Sequence, residues 1–497
     1  MSAVSAPAPD LSVPEGFALI PGRSSTVTRH WFDTFDRRLL GAGLELYVEV
    51  EASRALVVVG PLGQPGASAP WEGSSRSLPD ALRPTDLPPA VGALVGDRAG
   101  PRALVRLVTA RLRLEDHRVV DREQKTVCRL VVETATSPAA AEPVRNLAAS
   151  GLRGYEEEAE QVAAALGARH ENLLPALLGA VGASDTPGSG APGRDLRPDL
   201  PAPPALVSIL RHLLETVQAN VPGTLARYDE EFLHDLRVAV RRGRTALKLA
   251  RGVLSEEPRA ALAVELKWLG DVTTPARDLD VNVEGFPALE AVAVAEELRD
   301  AIAPFTDLLA QRSEAAHRDL DVALRSPRFR RLMSESMASL LPVEVTDQPV
   351  TAELARRRLE DTFGQVIKRG RRVDESSPDE AVHDLRKRAK ELRYTVEFFS
   401  GLLPPDRAGP LVKDLKGLQD VLGDFNDTVV QRELLLEAAD TLMAQGAGAG
   451  TVVALGEMRR ELARSGKEAR GELSGRFARL RQWRTDGRWD RLLRALG

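Results

Sequence analysis

The C-terminal half of this chain contains an internal repeat, which restricts that half to folds made of two similar structural units. "FLHDLRVAVRRGRTALK", beginning at Phe232, returns in outline as "AVHDLRKRAKELRYTVE" from Ala381. His234 and His383 are therefore 149 residues apart (383 − 234), and the same offset aligns "LKWLGDVTTPARDLDV" with "LKGLQDVLGDFNDTVV" without a gap. Self-similarity at a fixed spacing predicts two copies of one structural unit.

Each copy has the periodicity of helices. Beyond Pro204, apolar residues recur every three or four positions, and Pro and Gly fall between the periodic segments. The repeat also extends upstream, where Leu210 and Val217 align with Leu359 and Val366. We therefore expect an all-α domain of two pseudo-symmetric four-helix bundles.

The N-terminal half has the alternation of short strands instead. "LELYVEV" from Leu44 and "ALVVVG" from Ala55 flank the turn "EASR", which predicts a β-hairpin. A second pair, "LVRLVTARLRL" from Leu104 and "TVCRLVVET" from Thr126, is joined through the polar turn "DREQ". We expect an antiparallel β domain that ends in the helical segment "GYEEEAEQVAAALGARHENLLPALLGAVG".

A linker is predicted between the two halves. "ASDTPGSGAPGRDLRPDLPAPP" is rich in Pro, Gly and Ser, the composition of an interdomain connection. The predicted organisation is a β domain with a terminal helix at 13–182, a linker at 183–203 and a helical domain at 204–497. The expected fold class is α+β multidomain, in agreement with a length of 497 residues, which exceeds what one core usually organises.

Composition describes a globular protein without the usual features of membrane or secreted chains. Hydrophobic residues make up 43% and charged residues 28% of the sequence, and the net charge of −5 leaves room for a local basic surface. The single cysteine, Cys128, excludes an intrachain disulfide, which suits a reducing cytoplasm. Since no apolar run approaches about 20 residues and the N-terminus lacks a secretory pattern, we expect a cytoplasmic protein without a membrane partner.

Cationic side chains recur on one face of the repeated helix. With about 100° of rotation per residue, positions 0, +3, +7 and +10 from each histidine fall within roughly a quarter of the helix circumference. A further lysine at +14 extends the first copy, and a matched lysine occurs on another helix of each copy. The candidate binding residues are His234, Arg237, Arg241, Arg244, Lys248, Lys267, His383, Arg386, Lys390, Arg393 and Lys416.

The side chains that share one helix face in each copy predict a polyanionic ligand. We call them the basic stripes: His234, Arg237, Arg241, Arg244 and Lys248 in the first copy, and His383, Arg386, Lys390 and Arg393 in the second. Acids that would alternate with the bases for i,i+4 pairing are absent from the stripe. The cationic positions on this helix face also occur in both copies. Guanidinium forks and lysines bind phosphate, whereas nucleic acid usually also requires stacking aromatics, and only Tyr394 is nearby. An unbranched phosphate chain is therefore favoured, and nucleic acid is disfavoured. We hypothesise that crowding by arginines lowers the pKa of both histidines, and that both donate hydrogen bonds to phosphate.

Other interpretations of the repeated residues lead to different expectations. "HD" could be a metal dyad of a phosphohydrolase, but that needs further ligands, and His212 and His317 have no counterpart at the repeat offset. We therefore assign no catalytic residue and no metal ligand. Each HD aspartate is expected near a helix N-terminus or paired with a facing helix. The other repeated acids are interpreted as helix caps (Asp278, Asp427) and as interhelical partners of the lysines (Asp271, Asp420).

One helix start is well marked. In "SSPDEAVHDLRK", Ser377 is the expected N-cap, Pro378 the first helical residue and Glu380 the end of a capping box. His383 is then expected within the second turn of its helix.

The repeated motifs resemble the two halves of a CHAD domain, the conserved-histidine α-helical domain, from about Pro204 to the C-terminus. The resemblance implies a pair of four-helix bundles around a basic channel that binds inorganic polyphosphate, often with targeting to polyphosphate granules. Carried over residue by residue, it implies the same candidate binding residues given above, apart from Lys248, which comes from the stripe alone.

The N-terminal half is similar to a CYTH domain, the triphosphate-tunnel fold that is often fused to CHAD. "RHWFDTFDRRLLGAGLELYVEV" and "RLRLEDHRVVDREQKTVCRLVVET" resemble two of its elements. The chain departs from that family at the Glu-x-Glu-x-Lys motif, where only Glu15 is present, and has Glu45, Glu49 and Glu51 where arginines are usual. The resemblance therefore implies a degenerate CYTH-like module.

These observations predict a cytoplasmic polyphosphate-binding protein, for which we assign no catalytic residue and expect no cofactor. The alternative is a Mg²⁺-dependent inorganic triphosphatase or short-chain polyphosphatase acting through the CYTH-like domain, and a structural or nucleic-acid adaptor is a third hypothesis. Four arginines of the second strand pair bear on the enzymatic alternative: Arg106, Arg111, Arg113 and Arg129. They either line a β tunnel, as that alternative needs, or face solvent. The oligomeric state is left open.

Overall fold

The computed structural model describes residues 11–52, 54–64, 66–74, 77–166, 172–183, 192–339, 348–374 and 376–496. The chain divides into two compact units, Met1–Ser189 and Gly190–Gly497. Residues 184–191 of the predicted linker lie outside the described residues, as do residues 167–171 of the helical segment before it.

The first unit is built on an antiparallel sheet. Its strands are β1 (Ala18–Thr34), β2 (Leu44–Glu51), β3 (Arg54–Pro61), β4 (Ala67–Pro70), β5 (Ala81–Leu82), β6 (Leu104–Val120), β7 (Thr126–Thr136) and β8 (Val144–Gly151). They are ordered β4-β3-β2-β1-β6-β7-β8, with β5 beside β6. Both predicted hairpins, β2–β3 and β6–β7, are confirmed. The predicted N-terminal antiparallel β domain is thus confirmed, and its likeness to the CYTH family stays a prediction.

Short helices cover the two faces of this sheet. They are α1 (Arg38–Gly41), α2 (Pro89–Ala99), α3 (Glu156–Ala165) and α4 (Leu173–Ala180). Because successive strand residues point to opposite faces, the neighbours Trp31 and Phe32 enter different cores. Phe32 belongs to a cluster with Val91 of α2, and Trp31 to a cluster with Leu177 of α4. Both faces of the sheet are therefore packed with apolar side chains.

The second unit is helical. Its helices are α5 (Ala202–Ala226), α6 (Glu230–Leu249), α7 (Glu256–Ala293), α8 (Ala303–Arg325), α9 (Pro327–Ser339), α10 (Thr351–Gly370), α11 (Asp379–Phe398), α12 (Pro405–Ala444), α13 (Ala449–Thr485) and α14 (Arg488–Leu493). The helices α5, α6 and α7 pack with α8 and α9, whereas α10, α11 and α12 pack with α13 and α14. In the described part of the chain, no helix is long and apolar enough to cross a membrane.

The repeat predicted from the sequence is a structural repeat. The first residues of α10, α11 and α12 follow those of α5, α6 and α7 by 149 positions (351 − 202, 379 − 230, 405 − 256). The aligned pairs Leu210 and Leu359, and Val217 and Val366, are all buried in one continuous core. The expectation of two related helical bundles is confirmed.

A pseudo-two-fold axis relates the two halves. The backbone N–H of Ala202 donates to the carbonyl of Pro349 at 3.0 Å, and the N–H of Thr351 donates to the carbonyl of Leu200 at 2.8 Å. Each donor is the repeat equivalent of the other, and so is each acceptor (351 − 202, 349 − 200). Such a reciprocal exchange is the pattern expected when equivalent segments meet at a two-fold axis.

Candidate functional site

The two stripe helices start at equivalent positions but with different caps. Asp229 caps α6, and its carboxylate accepts hydrogen bonds from the backbone N–H groups of Glu231 (2.9 Å) and Phe232 (3.2 Å). In α11 the N-cap is Pro378 and the first helical residue is Asp379. The prediction of Ser377 as N-cap is therefore wrong by one residue, because the Ser377 hydroxyl bonds to Asp374 in the preceding loop.

The two histidines make equivalent contacts. His234 Nδ1 lies 3.3 Å from Nη2 of Arg277, and His383 Nδ1 lies 2.8 Å from Oδ1 of Asn426. Arg277 and Asn426 are themselves separated by the repeat offset (426 − 277). Because a guanidinium only donates, His234 Nδ1 accepts and its Nε2 carries the proton, whereas His383 Nδ1 donates to the amide oxygen. Neutral His234 can thus donate to a phosphate through Nε2, while His383 can do so only when it is protonated.

The pKa of His234 is lowered from its ordinary value. Burial is the largest cause, and the nearby Arg277 lowers this pKa further. The direction is the one expected from the sequence, but burial acts more strongly than crowding by the stripe arginines.

The first arginine of each stripe pairs with an aspartate at an equivalent place. Arg237 Nη2 lies 3.7 Å from Oδ1 of Asp278, and Arg386 Nη2 lies 3.5 Å from Oδ1 of Asp427. Both aspartates lie well inside long helices, α7 and α12, so their interpretation as helix caps is wrong. Arg237 Nη1 also donates to the hydroxyl of Thr274 at 2.8 Å. The two halves therefore orient these arginines in the same way.

The stripes of the two halves converge. We call Arg237, Arg241, Arg386 and Lys390 the central basic cluster. Burial, followed by the positive charges of Arg386 and Arg241, lowers the pKa of Lys390 to about 7. The pKa of Arg386 is also lowered, by burial and by Arg241, against the opposing effect of Asp427. Since Arg241 comes from α6 and Lys390 from α11, cations of both repeats lie within electrostatic reach of one another.

Some donors of this region have no partner in the described residues. The Nε atoms of Arg241 and Arg386 are buried there without a hydrogen-bond acceptor. An unsatisfied buried donor costs free energy, about 1 to 3 kcal/mol and more for a charged group. Buried like charges with unused donors are an arrangement that a bound anion would stabilise.

Ion pairs hold α6 against α11 beside the cluster. Arg242 Nη2 lies 2.7 Å from a carboxylate oxygen of Glu397, and Lys248 Nζ lies 3.9 Å from one of Glu391. These pairs are related by the pseudo-two-fold axis with their charges exchanged, because Glu391 is the repeat equivalent of Arg242 and Glu397 that of Lys248 (391 − 242, 397 − 248). The two basic positions are thus in the first half and the two acidic ones in the second.

The remaining candidate residues lie outside the central basic cluster. Lys267 pairs at 2.6 Å with Asp271 of its own helix, so the interpretation of Asp271 as an interhelical partner is wrong. Lys416 is exposed on α12, and Arg244 is exposed on α6 with its guanidinium over Gly270 of α7. Arg393 lies near Lys390 and forms an ion pair with Glu397 at 3.4 Å.

The aspartate of the second HD motif has a structural role. Asp384 forms an ion pair with Arg369 of α10, a facing helix, as expected from the sequence. His317 pairs with Asp280 at 2.7 Å, away from the stripe. Over the described ranges, no group of three or more His, Cys, Asp or Glu side chains is placed to hold a metal ion.

Sequence reasoning missed several residues that contact the candidate site. Arg277, Thr274 and Asn426 lie on α7 and α12 and contact the stripes of α6 and α11. A signal was present, because Arg277 and Asn426 immediately precede the repeated aspartates at the common offset. Their contacts with the stripe residues depend on how neighbouring helices pack together.

Charged side chains of the first unit are already engaged with one another. Arg29 pairs with Glu49 at 2.6 Å and with Glu133 at 3.2 Å, and Glu45 accepts hydrogen bonds from Trp31 Nε1 and the Gly63 N–H. Among the four arginines considered for a tunnel, Arg106 pairs with Asp80, and the other three are exposed: Arg111, Arg113 and Arg129. This exposure favours solvent-facing strand positions.

Comparisons with known proteins identify a CHAD domain. The CHAD domain family model matches residues 208–436. Two uncharacterised proteins of Mycobacterium tuberculosis, from strains H37Rv and CDC 1551, are each 29% identical over 302 residues, which cover 58% of this chain and 54% of theirs. The chain thus spans about half the length of these curated relatives. The crystal structure of the CHAD domain from the plant Ricinus communis is similar with a TM-score of 0.50 and 28% identity, covering 59% of this chain and 95% of that one. Residues 208–436 of this chain form a CHAD domain.

Proposed function

We propose that the helical unit binds inorganic polyphosphate in a basic channel formed around the central basic cluster. The observation that carries this proposal is the convergence of buried cations from both repeats: burial and the neighbouring arginines together lower the pKa of Lys390 to about 7. A polyanion at this place would offset the repulsion between the cations and accept from their unused donors. The polyphosphate binding implied by the CHAD resemblance agrees with this chemistry.

An unbranched phosphate chain suits the cluster better than nucleic acid does. Tyr394, the aromatic residue next to the stripe, is buried, and the guanidinium groups of Arg242 and Arg393 lie 5.6 and 5.4 Å from the centre of its ring. A base therefore has no access to this ring for stacking, which contributes much of the affinity for single strands. Phosphate groups need only the charge and the guanidinium donors that the cluster supplies.

The symmetry of the site also supports a phosphate chain. An unbranched polyphosphate has the same chemistry in both directions, so equivalent residues of the two halves can make equivalent contacts with it. Binding to polyphosphate granules in the cytoplasm is part of the same proposal, since a granule presents the same polyanion in condensed form.

Isothermal titration calorimetry with long-chain polyphosphate tests the proposal. We expect tight binding by the full chain and its loss in a variant with Arg237, Arg241, Arg386 and Lys390 changed to alanine. Far-UV circular dichroism checks that this variant is folded, and Arg460→Ala, an exposed arginine on α13, is the matched control. No binding by the unchanged protein, or equal binding by the fourfold variant, would overturn the proposal.

The same samples test the enzymatic alternative. A Mg²⁺-dependent triphosphatase needs carboxylates that hold the metal, and Glu45 and Glu49 of the first unit are already engaged by protein donors. We therefore expect no release of phosphate from tripolyphosphate in the presence of Mg²⁺. Release that survives the fourfold substitution would assign this activity to a site other than the central basic cluster.

A further inference from the structure

A second basic site lies where the stripe of the first half ends. A groove of about 450 Å³ is bounded by the C-terminal end of α6 and by α10 and α11. Its charged lining consists of the cations Lys248, Arg251, Arg358 and Arg388 and the acids Asp361 and Glu391. The groove therefore has a surplus of positive charge, four cations against two carboxylates.

This charge is present in only one half of the helical unit. At the repeat offset of 149, the four cations Lys248, Arg251, Arg358 and Arg388 correspond to Glu397, Ser400, Ile209 and Ala239. The helices themselves start at equivalent positions in both halves, so this difference is not a consequence of the fold. A charged groove on one side of a pseudo-symmetric scaffold indicates a role that the symmetric site does not share.

The groove is continuous with the stripe of α6. Lys248 is the last stripe residue and also lines the groove, 14 residues after His234. At about 1.5 Å of rise per residue, the stripe is about 21 Å long. A linear ligand that follows α6 from the central basic cluster therefore reaches the groove at Lys248.

Two arginines of the groove are held in place by the protein. Arg358 donates to the carbonyl oxygens of Leu249 (Nε, 2.9 Å) and Arg251 (Nη2, 2.6 Å), which fixes it against the end of α6. Arg388 pairs with Glu391 at 3.0 Å, and its buried Nε atom lies 4.0 Å from a carboxylate oxygen of Asp384, too far for a hydrogen bond. Glu391 also faces Lys248 at 3.9 Å, so an incoming phosphate must compete with this carboxylate for both cations.

We propose that this groove is a second phosphate subsite, which polyphosphate chains occupy only when they extend beyond the central basic cluster. The inference rests on the proposed polyphosphate binding and adds a preference for long chains. The groove contributes less affinity than the cluster, because Lys248 is 60% exposed and Glu391 competes with the ligand.

Chain length and one charge reversal test this inference. Long-chain polyphosphate and tripolyphosphate are titrated into the full chain and into Arg251→Glu, a change at an exposed groove residue outside the central basic cluster. We expect Arg251→Glu to weaken long-chain binding about threefold to tenfold and to leave tripolyphosphate binding unchanged. Arg460→Glu carries the same change of net charge on an exposed position of α13 and is expected to leave both affinities unchanged.

The outcomes separate this inference from the proposed function. If the unchanged protein binds polyphosphate but Arg251→Glu weakens both lengths equally, or neither, the groove is not a long-chain subsite. An equal loss in Arg460→Glu would assign the effect to net charge and would also overturn the inference. If the unchanged protein binds neither ligand, the proposed function fails together with the subsite.

Discussion

At the scale of single residues, Lys390 makes the charge of the candidate site sensitive to pH near neutrality. It shares α11 with Arg386 and Arg393, faces Arg241 of α6, and has Asp427 of α12 as the nearby acid. Burial and these cations lower its pKa to about 7, so much of the Lys390 population is neutral in the free protein at neutral pH. A bound polyanion favours the charged form and therefore raises this pKa.

Polyphosphate affinity is therefore expected to fall as the pH rises above about 7. Below the pKa of the free protein, Lys390 is charged both before and after binding, so affinity is constant; above it, binding must take up a proton, and affinity falls by up to about tenfold per pH unit. Calorimetry between about pH 6.5 and pH 9, in buffers of different ionisation enthalpy, measures both the affinity and the proton uptake.

Lys390→Arg is the matched control for this pH dependence. Arginine keeps its charge throughout this range, so the variant should lose the slope while it still binds. A slope that persists in Lys390→Arg, or an affinity that rises with pH in the unchanged protein, would show that another group titrates.

Single residues also mark the limit of what the sequence could predict about the site. The stripe was predictable because residues such as His234 and Arg237 share a helix face, a property of one helix alone. The partners Arg277 and Asn426, and the approach of Arg241 to Lys390, depend on how separate helices pack. The aspartates Asp278 and Asp427 were misassigned as helix caps because α7 and α12 continue past them.

At the scale of elements, periodicity predicted helices and strands better than their ends. Both hairpins and the repeated helices agree with the sequence patterns, because apolar spacing decides which face of an element is buried. The cap of α11 was wrong by one residue, since the local pattern cannot show whether the Ser377 hydroxyl turns to the helix or to the loop. The long helix α7 continues through Pro275 and Pro287, which the sequence marks as breaks.

The packing of α10 against α13 gives a prediction about stability. A Cβ atom on Gly370 would overlap the ring of Phe477, which is buried, so the helices can approach this closely only with glycine. We expect Gly370→Ala to lower the free energy of unfolding by about 1 to 3 kcal/mol through overpacking. Urea unfolding followed by far-UV circular dichroism, which reports mainly on the helical unit, measures the change.

Gly364 on the same helix is the matched control. Nothing lies within 4 Å of a Cβ built there, so Gly364→Ala should raise stability by about 0.5 to 1 kcal/mol through the loss of backbone freedom in the unfolded chain. Equal effects of the two substitutions would mean that close packing does not limit position 370.

At the scale of the whole helical unit, the pseudo-two-fold axis gives the central basic cluster two equivalent sides. Reciprocal hydrogen bonds, equivalent histidine contacts and the matched pairs Arg237–Asp278 and Arg386–Asp427 place the same groups on both sides of the central basic cluster. The sequence predicted the two copies, because the offset is visible in the residues. It could not predict whether the two stripes meet, since that depends on how one bundle packs against the other.

Equivalent substitutions in the two halves should therefore have equal effects on binding. Arg237 and Arg386 are both largely buried, and each pairs with an aspartate at a similar distance. We expect Arg237→Ala and Arg386→Ala each to weaken polyphosphate binding about tenfold to hundredfold, the range of a charge-assisted hydrogen bond, and to reduce the salt dependence of binding to the same extent. Calorimetric titrations at several salt concentrations measure both quantities, with Arg460→Ala as the control. A ligand with distinct ends, such as a nucleic acid strand, presents different groups to the two halves, so a much larger loss in one variant than in the other would favour a directional ligand over polyphosphate.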